Sequence, residues 1–135
     1  MIEFPFLKKR SDRLGLVLKP FIPVTLIGPK CGVKLFMLLD SGADISMIPY
    51  SVGEAIGIEL DMSTRSEVQG IGEGSVPYVL GRVSLQIENF KFSARIGWAL
   101  IEEVPFIIGR LDIFDALAIE FRQFENRILL KQSVE

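Results

Sequence analysis

The apolar stretch Val33–Leu39, interrupted only by Lys34, runs directly into the acidic residue Asp40. Val33, Leu35 and Met37 share one face by the two-residue period of a strand, and Phe36 and Leu38 take the other. A strand apolar on both faces belongs in the middle of a core. A carboxylate at its end costs free energy unless it is hydrogen-bonded or has a use. An acid at this place therefore asks for a reason.

The neighbouring sequence extends the same pattern. Ile22–Ile27 reads as a second strand, joined to Val33–Leu39 through the breakers Gly28-Pro29-Lys30-Cys31-Gly32. One early helix is predicted over Tyr50–Ile56, with Pro49 at its start and Gly57 at its end. Glu67–Ile71, Val76–Ile87 and Phe90–Leu100 are β-rich and punctuated by glycine. Within them Val83, Leu85 and Ile87 alternate with Ser84, Gln86 and Glu88, as in a half-buried strand, and Glu88-Asn89 makes the next turn. Leu111–Ala116 suits a short helix, and Ala118–Phe121 with Ile128–Lys131 a final hairpin. Many short strands with one or two short helices predict an all-β fold, a small closed β-barrel. At 135 residues the chain is expected to be one domain, 1–135, with its core over about residues 21–131.

Composition narrows the chemistry. There is no histidine, which removes Ser-His-Asp and Cys-His catalysis and the commonest zinc ligand. Cys31 stands alone, so no intrachain disulfide or cysteine-ligated metal is expected; it reads as a packing residue near a turn. Proton transfer must fall to carboxylates, lysines, tyrosines or water. The net charge of −2 and the lack of a long basic run argue against a nucleic-acid surface, and Lys8-Lys9-Arg10 reads as a solvated turn. No signal-peptide h-region or membrane-length apolar run is visible, so the expectation is a soluble, cytoplasmic protein without membrane partners.

Asp40-Ser41-Gly42 by itself is equally well a plain turn, since all three residues favour turns. Two further features stand in order behind it. Val68-Gln69-Gly70-Ile71-Gly72-Glu73-Gly74 places three glycines in five residues between strand-like flanks, a flexible hairpin tip. As a phosphate loop it fails, because no helix and no Lys-Ser/Thr pair follows. Val104-Pro105-Phe106-Ile107-Ile108-Gly109-Arg110 is an apolar strand ending in Gly-Arg before a short helix.

Together these motifs resemble the retropepsin-like aspartic proteases, from about Phe21 to Leu130. The Leu111-Asp112-Ile113-Phe114 stretch looks closer to cellular and prokaryotic members than to retroviral ones. The resemblance implies a retropepsin-like barrel and an endopeptidase in which Asp40 is catalytic. Ser41, Gly42, Ala43, Asp44 and Arg110 would support its loop, with Asp44 and Arg110 as an ion pair beneath the site. Gly70, Ile71 and Gly72 would form a flap over a peptide or protein substrate. No cofactor and no metal are implied.

Two carboxylates a few ångströms apart share a proton and hold a water between them, and this chain has one Asp-Ser/Thr-Gly triplet. A homodimer placing two copies of Asp40 on its two-fold axis is therefore expected. Its interface is left open: Phe4–Leu7 and Ile128–Lys131 are able to interleave with a partner, or the contact lies elsewhere. The rival reading is a catalytically silent dimeric barrel that binds peptides or proteins. Trp98 is expected in the core or an interface, Glu102-Glu103 in a solvated turn, and Asp112 and Asp115 capping or flanking the last helix.

Overall fold

The computed structural model of the chain describes residues 1–69 and 74–132. In chain order, strands β1 (Ile2–Phe4), β2 (Leu7–Ser11), β3 (Gly15–Lys19), β4 (Phe21–Ile27), β5 (Gly32–Leu39) and β6 (Met47–Ile48) precede helix α1 (Tyr50–Ile56). Then come β7 (Ser66–Gln69), β8 (Ser75–Ile87), β9 (Phe90–Ala99) and β10 (Ile107–Ile108). Helix α2 (Ile113–Ala116) leads into β11 (Leu117–Arg122) and β12 (Arg127–Gln132).

Six of these strands close a ring. β4 is antiparallel to β5 on one side and to β8 on the other, so its two edges join the ends of what would be an open sheet. β8 pairs with β9, β9 with β6, β6 with β10, and β10 returns to β5. Closure removes the unpaired edges that would template aggregation. The expected barrel is present.

Period-two burial fills its interior. Ile22, Val24 and Leu26 of β4, Val79, Val83, Leu85 and Ile87 of β8, and Ala94, Ile96 and Trp98 of β9 are all buried. Each large aliphatic side chain taken out of water there contributes about 1.5–3 kcal/mol. On β5 the inward set ends in buried Met37 and Leu39, but Phe36 on the opposite face is 52% exposed. The expectation of a strand buried on both faces is thus corrected. β5 lies in a barrel wall, with one face inward and the other toward solvent.

Helix α1 keeps its predicted bounds, and its caps explain them. Gly57 adopts φ +84° and sends its N–H back to Gly53 and Glu54 carbonyls, the left-handed stop that glycine permits. At the other end Glu102 accepts hydrogen bonds from the Ser51 N–H and hydroxyl, so this residue of the 102–103 turn caps α1 from outside it. Trp98 is core: it stacks on Tyr50 at 5.3 Å and donates its indole N–H to the Tyr50 carbonyl at 2.9 Å. A Cβ on Gly53 would overlap that indole, so the helix sits directly on the ring.

Outside the ring, β11 and β12 form the predicted terminal hairpin, and β1 adds to it along β12, with Ile2 opposite Leu130 and Phe4 opposite Ile128. Both edges of β12 are therefore filled from within the chain. Lys8-Lys9-Arg10 is not a turn but the middle of β2, paired with β3 in a two-stranded sheet of its own. The three basic residues are exposed, and the turn proper is at 12–14, closed by Gly15 at φ +75°. Among the described residues no helix is long and apolar enough to cross a membrane.

Candidate active site

The parallel pairing of β5 with β10 sets Leu39 beside Ile108 and carries the ladder one residue further. The Asp40 N–H donates to the Ile108 carbonyl at 2.9 Å, so the first residue of the loop still belongs to the sheet. The chain then turns: Ala43 N–H returns to the Asp40 carbonyl at 3.1 Å, and Gly42 N–H donates to Asp40 Oδ1 at 2.9 Å. The plain-turn reading of the triplet is correct as far as the backbone goes. What a turn does not require is a half-buried aspartate whose backbone is fixed to the barrel wall; Gly42 is the one hydrogen-bond donor to its carboxylate among the described residues. Ser41 and Gly42 are exposed beside it.

A strap over residues 108–111 holds this loop from below. Arg110 N–H donates to the Ala43 carbonyl and Leu111 N–H to the Asp44 carbonyl, both at 2.9 Å. Gly109 N–H donates at 3.0 Å to Ser46 Oγ, and Ser46 is fully buried. The close approach requires glycine at 109, because a Cβ there would overlap the Ile45 carbonyl group and come within 2.9 Å of the Ala43 oxygen. Ser46→Ala leaves the Gly109 N–H buried and unpaired, at a cost of about 1–3 kcal/mol. Urea unfolding should report that loss, while Ser46→Thr, which keeps the hydroxyl, loses less.

Asp44 and Arg110 do form an ion pair, with Nη2 2.6 Å from Oδ1. The two side chains are 86% and 55% exposed, so in the single chain the pair contributes at most about 1 kcal/mol. The backbone bonds of the strap do most of the holding.

β7 and the start of β8 form the hairpin that carries the glycine-rich segment, with Gln69 opposite Ser75. Gly70, Ile71 and Gly72, the expected flap residues, lie outside the described residues. Among the described residues no group of three or more His, Cys, Asp or Glu side chains is arranged to hold a metal ion.

The sequence profile of the aspartyl protease family matches residues 22–110, which contain all of the barrel ring but Phe21, the Asp40 loop and Gly109-Arg110. The chain belongs to the aspartyl protease family. Within that family its barrel is retropepsin-like. The retroviral protease-like domain of Ddi1 from Leishmania major superposes with a TM-score of 0.60 at 17% identity, over 87% of this chain and 90% of that one. A retropepsin-like aspartic protease from Rickettsia conorii gives 0.56 at 13% identity, over 95% and 89%. The EIAV protease, solved with the inhibitor HBY-793, gives 0.52 at 24% identity, over 72% and 86%. No curated protein sequence matches the chain.

In this aspartyl protease chain, sequence reasoning passed over two polar contacts, one in the loop and one just after the strap. Ser46 is one: a lone serine inside Ile45-Ser46-Met47-Ile48 carries no pattern. The other is Asp112, expected to cap or flank α2. It does flank the helix, but its carboxylate makes no cap bond and turns instead to Arg95 of β9. Arg95 Nε and Nη2 each donate at 2.9 Å, and the Arg95 backbone N–H donates at 2.8 Å. The Arg95 guanidinium holds the Asp112 carboxyl down at about 2, against burial that opposes it. Because Arg95 is 43% exposed, the shift amounts to about 1–2 kcal/mol after screening.

Proposed function

We propose that this protein is an aspartic endopeptidase whose catalytic pair is formed by Asp40 of two identical chains meeting on a two-fold axis. The observation that carries the reading is the setting of Asp40. Its backbone is locked into the barrel ladder through Ile108, and its loop is held by four strap residues. The residue is half-buried, and its carboxylate has a single donor among the described residues. Membership of the aspartyl protease family supports the same assignment.

Hydrolysis without a covalent intermediate needs a base to activate water and an acid to protonate the tetrahedral species. Two carboxylates sharing one proton supply both, and their apparent pKa values belong to the pair. One chain supplies one such carboxylate, so a second copy completes the site. In this reading the Ser41 hydroxyls brace the two loops across the axis, and Gly42 lets the substrate backbone approach. Ala43 and Asp44 support the active-site loop, and Arg110 steadies it through Asp44. Gly70, Ile71 and Gly72 close over an extended peptide and exclude water.

Because β12 is flanked by β1 and β11 of its own chain, a partner terminus meets the outer edges of β1 or β11 unless one of them is displaced. Sedimentation of the purified chain tests the assembly: cleavage of a peptide library should track the dimer fraction as concentration rises. Undiminished specific activity in a monomer rules the shared site out.

A further inference from the structure

Asp112 adopts φ +66° and ψ −29°, a left-handed conformation that a residue with a Cβ keeps only where its surroundings over-determine it. Here the surroundings are Arg95. The planar guanidinium forks onto both carboxylate oxygens, and the backbone N–H of the same residue adds a third bond. Arg95 lies on β9, opposite Arg82 of β8, so it brings to Asp112 the stiffness of the two longest paired strands of the ring.

Asp112 is the residue immediately after the strap. Upstream, Ile108, Gly109, Arg110 and Leu111 each hydrogen-bond to residues between Asp40 and Ser46. Downstream of Leu111, the Arg95 contact is the first fixed point. The strap is thus held at one end by pairing of β10 with β5 and at the other by an ion pair to β9, beside the Phe114 N–H bond to the Arg110 carbonyl and the buried Ile113 side chain. We propose that Arg95 and Asp112 are positioning residues for the Asp40 loop, tethering the far end of the strap so that the Arg110 and Leu111 amides stay aimed at Ala43 and Asp44. Its consequence for catalysis rests on the proposed role of Asp40; its consequence for the loop does not.

The groups facing the tether are Arg82 on β8, Lys91 farther along β9 and Asp115 in α2. With Arg95 and Asp112 they line a groove of about 510 Å³ that includes no residue of the Asp40 loop. Arg95 first, with help from Arg82, favours the ionised carboxylate. A carboxyl lowered in the folded state contributes stability above its unfolded value and loses it as the pH falls through the folded one. The tether therefore holds through the range in which an ordinary aspartate would be protonated, and releases near pH 2.

Two variants separate the tether from the backbone requirement. Asp112→Gly removes the carboxylate while leaving φ +66° unstrained; Arg95→Leu removes the guanidinium and leaves Asp112 with the backbone N–H at 95 as its remaining donor. Amide exchange at pH 7 should speed up about tenfold at Arg110 and Leu111 in both variants, with Val83 and Leu85 of β8 unchanged. Cleavage of oxidised insulin B chain should show kcat down about tenfold with KM within about threefold, and Arg95→Lys should recover part of it. Unchanged exchange at Arg110 and Leu111 in both variants overturns the proposal. So does acceleration spread equally over β8, which would mark a general stability role. A wild-type protein that leaves the insulin chain intact counts against the protease reading alone, because exchange reads the loop without substrate.

Discussion

Asp40→Asn should abolish peptide cleavage, by at least about 10³-fold, while leaving the barrel intact. The reasoning separates the two jobs of this side chain. As a turn residue it accepts one hydrogen bond, from Gly42 N–H to Oδ1, and an asparagine carbonyl oxygen accepts the same bond with the same shape. As half of a proton-sharing pair it must lose and regain a proton, which an amide does not do. Thermal unfolding by circular dichroism should therefore shift by no more than about 2 °C, the change expected for well under 1 kcal/mol. Full cleavage by the variant, measured on a peptide library by mass spectrometry, would remove Asp40 from the chemistry.

Gly109→Ala should be the most damaging single methyl group in the site. The added Cβ meets the carbonyl carbon and oxygen of Ile45 and the oxygen of Ala43, all backbone atoms in the loop that the strap supports. Backbone has no rotamer by which to move aside, so either the strap retreats or the loop does. Either movement lengthens the Gly109–Ser46 bond and pulls Arg110 and Leu111 from their partners. Overpacking of this kind costs about 3 kcal/mol or more when a buried hydrogen bond is lost with it. Urea titration should show the lower midpoint, and whatever protein remains folded should cleave poorly. Gly42 differs: a Cβ there meets only Asp40 Oδ1, at 3.3 Å, a side-chain atom that need give way by only a few tenths of an ångström.

Most of the barrel was legible because its rule is local. Val83, Leu85 and Ile87 alternate with the polar Ser84, Gln86 and Glu88, and that alternation alone states which side is inside. Pro49 and Gly57 marked α1 for equally local reasons. The Asp40 loop and Gly109-Arg110 were legible through their order along the chain.

What escaped depends on contacts between distant strands. Phe36 lies in an apolar run, and nothing in the run says that its side of β5 faces solvent. Lys8-Lys9-Arg10 has no apolar alternation, so its strand character appears only through pairing with Leu16, Val17 and Leu18. Ser46 is polar at a fully buried position because Gly109, far along the chain, brings an amide to it. Arg95 and Asp112 meet across a strand and a crossing connection, with no period to announce them.

The shared site is tested most directly by mixing wild-type chains with Asp40→Asn chains, unfolding and refolding them together, and measuring cleavage at fixed total protein. If each dimer needs both carboxylates, activity follows the square of the wild-type fraction, because only dimers of two wild-type chains cut. Activity that falls in simple proportion to that fraction would show each chain working with its own Asp40, and would contradict a dyad built across two copies.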